Sequence, residues 1–292
     1  MQAAGYMITG GINLVKCGRN DIVMKYGFIG TGNMGFPLLV GAAELAGKEN
    51  VTYSTPFIEE MENVKARTGI EYSRDTKELA ANCENIVICV KPQMLESVYR
   101  DLEQVALKGK TIISIAAGVS CASIYESIRQ DVRIARIMPN TPAMVKEGMS
   151  CICFADYSGG FNDEQRKAVT DLFEKVGKIE VLSENLMNAA ICANGSSPAY
   201  VYMFIEALAD SVVKYGIPRK TAYKLAAQTV LGSAKLVLES GEHPGTLKDN
   251  VCSPGGTTIA AVEALEEWGF RNAVMKATDA CYERGQELGK LK

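Results

Sequence analysis

The sequence predicts an α/β protein in two parts, an N-terminal doubly wound sheet followed by an all-helical C-terminal half. Three observations predict it. From Lys25 to Leu182, short apolar and β-branched runs alternate with helical stretches, the pattern of a largely parallel sheet with helices on both faces. The first run leads directly into Gly30-Thr31-Gly32-Asn33-Met34-Gly35 and then into an alanine- and leucine-rich helix. After Ser183 the strand signals stop and only helical periods remain.

Composition narrows the function. A chain of 292 residues, 47% hydrophobic, has enough length and apolar content for one large or two moderate domains. A net charge of -3 argues against a nucleic-acid or anionic-membrane partner. No apolar run approaches the ~20 residues that span a bilayer. Nine cysteines, an odd number without a C-x-x-C pair, point to free thiols in a reducing cytoplasm. They do not suggest a disulfide framework or a zinc site, and the single histidine, His243, excludes a multi-histidine metal site. No metal is therefore expected, and the expected location is cytoplasmic.

Residues 1–23 show no period and no long apolar core of a signal peptide. They are expected to be a poorly ordered extension, with Met24-Lys25 the more natural start.

Tyr26–Ile29 reads as a buried strand. The G-x-G-x-x-G loop that follows stands between strand and helix, the context a dinucleotide site requires. Gly30 permits the tight turn, Gly32 lets a pyrophosphate approach, and Gly35 lets the helix pack on the strand. This predicts a Rossmann-like domain over residues 24–183. The second strand ends in Ser54-Thr55-Pro56. An NAD site usually has an acid there, for the ribose hydroxyls. Hydroxyls without a carboxylate favour NADPH, with NADH possible because no arginine adjoins them in sequence.

Glu71–Ser73 is a short, weak strand signal. Asn85–Val90, Thr111–Ile115 and Val132–Met138 are strong ones, and Met149–Phe154 and Lys178–Leu182 flank a helix over Asp163–Glu174. Ligands of doubly wound sheets lie over the carboxyl ends of the strands. Val90-Lys91-Pro92, Ala117 and Asn140 should therefore share one crevice. Lys91 puts a cation there that can attract phosphate or carboxylate, or simply be solvated.

In the second half, residues 184–292, Glu184–Ala193 reads as a helix broken at Gly195-Ser196-Ser197-Pro198. Helices over Ala199–Tyr215, Arg219–Ser240, Ile259–Trp268 and Phe270–Gly289 follow. Tyr200, Tyr202, Met203 and Phe204 read as core. Long apolar helices with few partners of their own suggest a homodimer through this half. The stretch Lys248–Thr258, KDNVCSPGGTT, ends at a helix start. Adjacent glycines there allow backbone N–H groups to converge near the positive end of the helix, which suits a carboxylate or serves only as a cap.

Taken together, the chain resembles the pyrroline-5-carboxylate reductases. The resemblance runs from Met24 to Leu288 and is most specific at Leu247–Glu266, LKDNVCSPGGTTIAAVEALE. Phe28–Gly35, Val90-Lys91-Pro92, Met138–Pro142 and Pro198-Ala199-Tyr200 support it. It implies reduction of the C=N bond of 1-pyrroline-5-carboxylate to L-proline, usually with NADPH. Carried over by position, Ile29, Gly30, Thr31, Gly32, Asn33, Met34, Gly35, Ser54, Val90, Lys91, Ala117 and Asn250 would serve the cofactor. Glu184, Ser253, Gly256, Thr257 and Thr258 would serve the substrate. Thr258 and Lys91 are the candidate catalytic residues, with Thr258 at the imine nitrogen. The family forms dimers that can assemble into larger rings. This chain departs from the family pattern at Ser197, at Thr76, in lacking a base after Ser54, and in the extension.

The chemistry agrees with the composition. A cyclic imine can be protonated before reduction, so no strong general acid is required. The site orients two partners while the cofactor carries the hydride. One competing reading is another two-domain NAD(P)-dependent dehydrogenase, such as a β-hydroxyacid dehydrogenase. It would place a lysine on the first long helix of the second half, where Glu184 to Val213 has neither Lys nor Arg. A non-catalytic nucleotide-binding regulator would have no need of SPGGTT.

Overall fold

The computed structural model describes residues 24–290 apart from 156 and 158, so the extension expected at 1–23 lies outside the described residues. Seven strands form one sheet: β1 (Tyr26–Ile29), β2 (Val51–Ser54), β3 (Asn85–Ile88), β4 (Thr111–Ser114), β5 (Arg133–Met138), β6 (Gly148–Ala155) and β7 (Gly177–Val181). Their order is β2-β1-β3-β4-β5-β6-β7. The first five run parallel, β6 is antiparallel to β5, and β7 is parallel to β6. β1, β3 and β4 are buried throughout, as continuous apolar runs in a sheet covered on both faces should be. The weak signal at Glu71–Ser73 yields no strand, only a parallel bridge from Tyr72 to Tyr53.

Helices α1 (Gly35–Ala46), α2 (Ile58–Thr68), α3 (Thr76–Asn82), α4 (Leu95–Leu102), α5 (Cys121–Ile128) and α6 (Asp163–Glu174) cover the sheet. Leu38 and Leu39 of α1 and Phe173 of α6 meet Phe28, Val87 and Ile113 on one face. Leu102 of α4 and Ile124 of α5 meet Ile86, Ile88 and Ile112 on the other. Local chemistry sets the helix starts. Asp75 accepts the Lys77 N–H, Ser120 accepts the Ser123 N–H, and Asn162 and Gln165 form a reciprocal capping box.

The second half departs from its expected breaks. Helix α7 (Glu184–Ala190) does not stop at Gly195 but runs through a π turn, Ile191–Gly195, into α8 (Ser197–Val213). Pro198, in the first turn of α8, has no N–H to continue the α-helical ladder, and the Ser196 N–H instead reaches back to the Ile191 carbonyl at 2.9 Å. The Asn194 amide fixes this turn to the sheet by donating to the carbonyls of Met138 (2.7 Å) and Met149 (3.2 Å). α8 pairs with α9 (Arg219–Ser240) through Ala209, Ala222 and Ala226. A short helix that the sequence pattern did not assign, α10 (Pro244–Val251), precedes the Ser253–Thr258 stretch, its start set by Pro244 and the His243 Nδ1 that accepts the Gly245 N–H. α11 (Thr257–Glu267) follows, and α12 (Phe270–Lys290) returns to pack on α7 and the π turn.

Tyr202, Met203 and Phe204 are corrected from core to surface, being 58%, 69% and 40% exposed. The face carrying Ile259, Leu265 and Trp268 is likewise uncovered. Phe204 meets only the edge of α12, its ring 6.1 Å from that of Phe270, and keeps much of its surface open.

Candidate active site

The carboxyl edge of the sheet is knitted together by backbone bonds. The Gly30 N–H donates to the Ser54 carbonyl and the Cys89 N–H to the Ile29 carbonyl, both at 2.9 Å, and the Ile115 N–H donates to Ile88 at 3.2 Å. The ends of β1, β2, β3 and β4 thus meet at the point where strand order reverses about β1, the usual ligand crevice of this architecture.

The glycine loop fits a pyrophosphate. Gly30 takes φ +95°, which side chains disfavour, and a Cβ there would meet Val90 and the Cys89 backbone at 3.0–3.1 Å. A Cβ on Gly35 would lie 2.3 Å from the Gly30 carbonyl oxygen, so helix and turn can only close on a glycine. A Cβ on Gly32 would meet nothing within 4 Å, so this face is open to a ligand. No side chain caps the start of α1, which leaves its first N–H groups available to an anion. Gly32 and Asn33 are exposed and Met34 half-buried, whereas Ile29 is a core residue 4% exposed. Val90 packs on the loop, and Lys91 and Ala117 are exposed on the turns after β3 and β4. Asn140 is committed locally, its Oδ1 accepting the Met149 N–H at 2.9 Å.

Ser54 is buried at the end of β2, and the Thr55 hydroxyl donates to the Phe57 carbonyl at 3.1 Å. Sequence reasoning missed an acid at the glycine loop: the Thr31 hydroxyl donates to Glu60 Oε1, from α2, at 2.8 Å. A cavity of about 640 Å³ opens there, walled by Thr31, Asn33, Phe36, Glu60, Asn63 and Arg67. The faint signal was helical phase, because Glu60, Asn63, Val64 and Arg67 share one side of α2.

Glu184 lies in a second polar cluster that the sequence did not reveal. Its Oε1 accepts the Cys121 N–H at 2.6 Å and faces Arg136 Nη1 at 3.5 Å. Arg136, only 6% exposed, also donates to Asn188 Oδ1 at 2.9 Å. The thiols of Cys121 and Cys153 and the Glu184 carboxylate lie within 4.8 Å of one another. The Cys153 thiol, burial and the negative charge of Glu184, in that order, hold the Cys121 thiol far above its ordinary range. Burial, then Glu184, also raises Tyr157, which stacks on Tyr125 at 4.8 Å.

The Ser253–Thr258 stretch belongs to the helical half. Gly255 has φ +67°, and a Cβ on Gly256 would lie 2.3 Å from Ser253 Oγ. Gly256, not Thr258, precedes the first helical residue of α11, and no side chain caps that start. Asn250, Ser253 and Thr257 are exposed, and Gly256 and Thr258 half-buried. The hydrogen bonds of this stretch stay within α10, α11 and the turn between them among the described residues, and none reaches the glycine loop of the same chain.

Residues 184–288 match the family model described as pyrroline-5-carboxylate reductase dimerisation, and residues 25–118 match the model described as NADP oxidoreductase, coenzyme F420-dependent. The chain is 42% identical over 268 residues to the pyrroline-5-carboxylate reductase of Escherichia coli K12, covering 91% of this chain and 98% of the relative. Its counterpart in Methanosarcina acetivorans is 41% identical with the same coverage. Among solved structures, Plasmodium falciparum pyrroline carboxylate reductase with NADP bound is 35% identical, with a TM-score of 0.81 over 91% of this chain and 98% of that one.

Proposed function

The chain belongs to the pyrroline-5-carboxylate reductase family, and we propose how its residues divide that family's reaction between them. The enzyme reduces the C=N bond of 1-pyrroline-5-carboxylate to L-proline with a reduced nicotinamide dinucleotide, the last step of proline synthesis. When bound, the nicotinamide supplies the hydride. The observation that carries the reading is the open backbone at Gly32, in a chain alike to these reductases over nearly its whole length.

In this reading residues 24–183 hold the dinucleotide. Gly30, Thr31, Gly32, Asn33 and Met34 cradle the pyrophosphate, while Ile29 and Gly35 fix the turn. Ser54 faces the ribose, and Val90, Lys91 and Ala117 line the crevice toward the reacting end. Residues 184–292 hold the substrate. Ser253, Gly256, Thr257 and the open start of α11 take its carboxylate, Asn250 borders the cofactor, and the Thr258 hydroxyl bonds the imine nitrogen and selects the face attacked. The nitrogen is basic enough to carry its own proton, so orientation is the main task.

The Ser253–Thr258 stretch is exposed at all but the half-buried Gly256 and Thr258, and among the described residues it is bonded only locally. A second copy therefore brings this stretch to the crevice, in a homodimer that covers the apolar faces of α8, α9 and α11. The matched dimerisation segment supports this. No described helix is long and apolar enough to cross a membrane. A cytoplasmic setting is part of the reading, supported by the free thiols at Cys83, Cys89, Cys121, Cys151, Cys153, Cys192, Cys252 and Cys281.

The test is loss of reduced-nicotinamide absorbance with 1-pyrroline-5-carboxylate, with proline identified as the product. Protein that binds the dinucleotide but makes no proline would overturn the reading.

A further inference from the structure

We propose that Cys121, Cys153 and Glu184 form a site for one thiophilic divalent cation of the zinc class, at the seam between the two halves of the chain. The inference is independent of how the glycine loop is used.

The three ligands come from distant segments that the fold gathers. Cys121 is the first residue of α5, Cys153 lies in β6 and Glu184 opens α7. The two sulfurs and a carboxylate oxygen lie within 4.8 Å of one another. A tetrahedral zinc with bonds of about 2.0–2.3 Å sets such atoms about 3.3–3.8 Å apart, so an inward shift of about 1 Å closes the set. Two thiolates and a carboxylate suit zinc, whereas magnesium and calcium take oxygen ligands. The cysteines carry no C-x-x-C spacing, so an expectation built on spacing does not reach a cluster of this kind.

The surroundings fix the carboxylate. Arg136 stands opposite Cys153 in the β5–β6 register and shares its face. Its guanidinium, almost fully buried, faces Glu184 Oε1 at 3.5 Å and donates to Asn188 Oδ1 at 2.9 Å. The Cys121 N–H donates to the same Glu184 oxygen at 2.6 Å. These groups orient the carboxylate from outside the ligand set and leave its second oxygen to the cation.

Charge balances in both states. Without a cation, two neutral thiols stand beside one carboxylate and one guanidinium. With it, two thiolates, the carboxylate, the guanidinium and a divalent ion again sum to zero. The cation thus replaces two protons released to solvent, with no change in buried charge. Both cysteines belong to the apolar cluster shared by α4, α5 and the sheet, whereas the Glu184 side chain is 33% exposed. The cation therefore enters from the Glu184 side and keeps one water as its fourth ligand.

The experiment titrates the reduced full chain with Zn²⁺ against a chromogenic zinc chelator, and with Co²⁺ for its absorption spectrum. The wild type should take up one equivalent of zinc with Kd below about 10 μM. Cobalt should show the charge-transfer band of two thiolate ligands and the visible bands of a four-coordinate ion. Cys121→Ser and Cys153→Ser should each weaken zinc binding by at least about tenfold and halve the charge-transfer band. Cys83→Ser, at a buried thiol elsewhere, should change neither. Zinc should raise the melting temperature of the wild type but not of either serine variant. Glu184→Gln still accepts the Cys121 N–H, so it tests the charged ligand with the seam held, and it serves also where a serine variant fails to fold. It should weaken zinc binding while the cobalt spectrum keeps both sulfurs. Weaker or substoichiometric uptake by the wild type, zinc affinity unchanged by all three substitutions in the cluster, or recovery of Cys121 and Cys153 joined as a disulfide overturns the inference.

Discussion

Glu184 Oε1 accepts the backbone N–H of Cys121 at 2.6 Å, which ties the first helix of the C-terminal half to the start of α5 in the sheet domain. The same oxygen faces the buried Arg136 guanidinium. Glu184→Ala should therefore cost stability, by about 2 kcal/mol after allowing for the carboxylate's partial exposure. Thermal unfolding would register this as a fall of several degrees. An unchanged melting temperature with a raised KM for the imine would place Glu184 on the substrate instead.

Gly32 and Gly35 belong to one motif but should fail differently. A Cβ at Gly32 meets no atom within 4 Å, so Gly32→Val should abolish dinucleotide binding with little loss of melting temperature. Gly35→Val drives a side chain into the Gly30 carbonyl and should destabilise the fold by several kcal/mol. Calorimetric binding and thermal unfolding on both variants separate the two effects.

Thr258→Ala should lower kcat by roughly tenfold or more, the scale of one lost hydrogen bond in the transition state, while NADPH affinity stays near wild type. Equal kcat in the two proteins would remove Thr258 from the imine nitrogen.

Leu231 is 56% exposed on α9. Leu231→Glu should shift sedimentation from dimer to monomer and abolish proline formation, yet leave dinucleotide binding intact. A monomer that still turns over would show that one chain completes the site.

Tyr26 donates to the Ala168 carbonyl at 3.0 Å, and burial, with Asp171 nearby, pushes its hydroxyl up to about 12 from 10.0. The folded state thus favours the neutral phenol. Its stability contribution is complete below about pH 10, where the unfolded chain begins to ionise, and is lost toward about pH 12. The advantage of wild type over Tyr26→Phe should shrink across that window in unfolding titrations. A constant difference would contradict it.

The glycine loop was legible because its demands are local: a strand, a left-handed turn and a helix start all lie within a dozen residues. The buried strands were legible because a sheet covered on both faces needs unbroken apolar runs. Glu60 was not, since it reaches Thr31 of the glycine loop through a tertiary path, the phase of α2. The π turn escaped because glycine, serine and proline ordinarily end a helix, whereas here Asn194 holds the chain against the sheet. Tyr202 and Met203 were misread as core because apolar periodicity marks a face to be covered without saying whose residues cover it.

The separation of the Ser253–Thr258 stretch from its own chain's glycine loop has a genetic consequence. If each site takes one part from each copy, a strain carrying Gly32→Val and Thr258→Ala alleles should grow faster without added proline than a strain carrying either allele alone. A mixed dimer gathers both lesions into one site and leaves the other whole, so random pairing restores about a quarter of the sites.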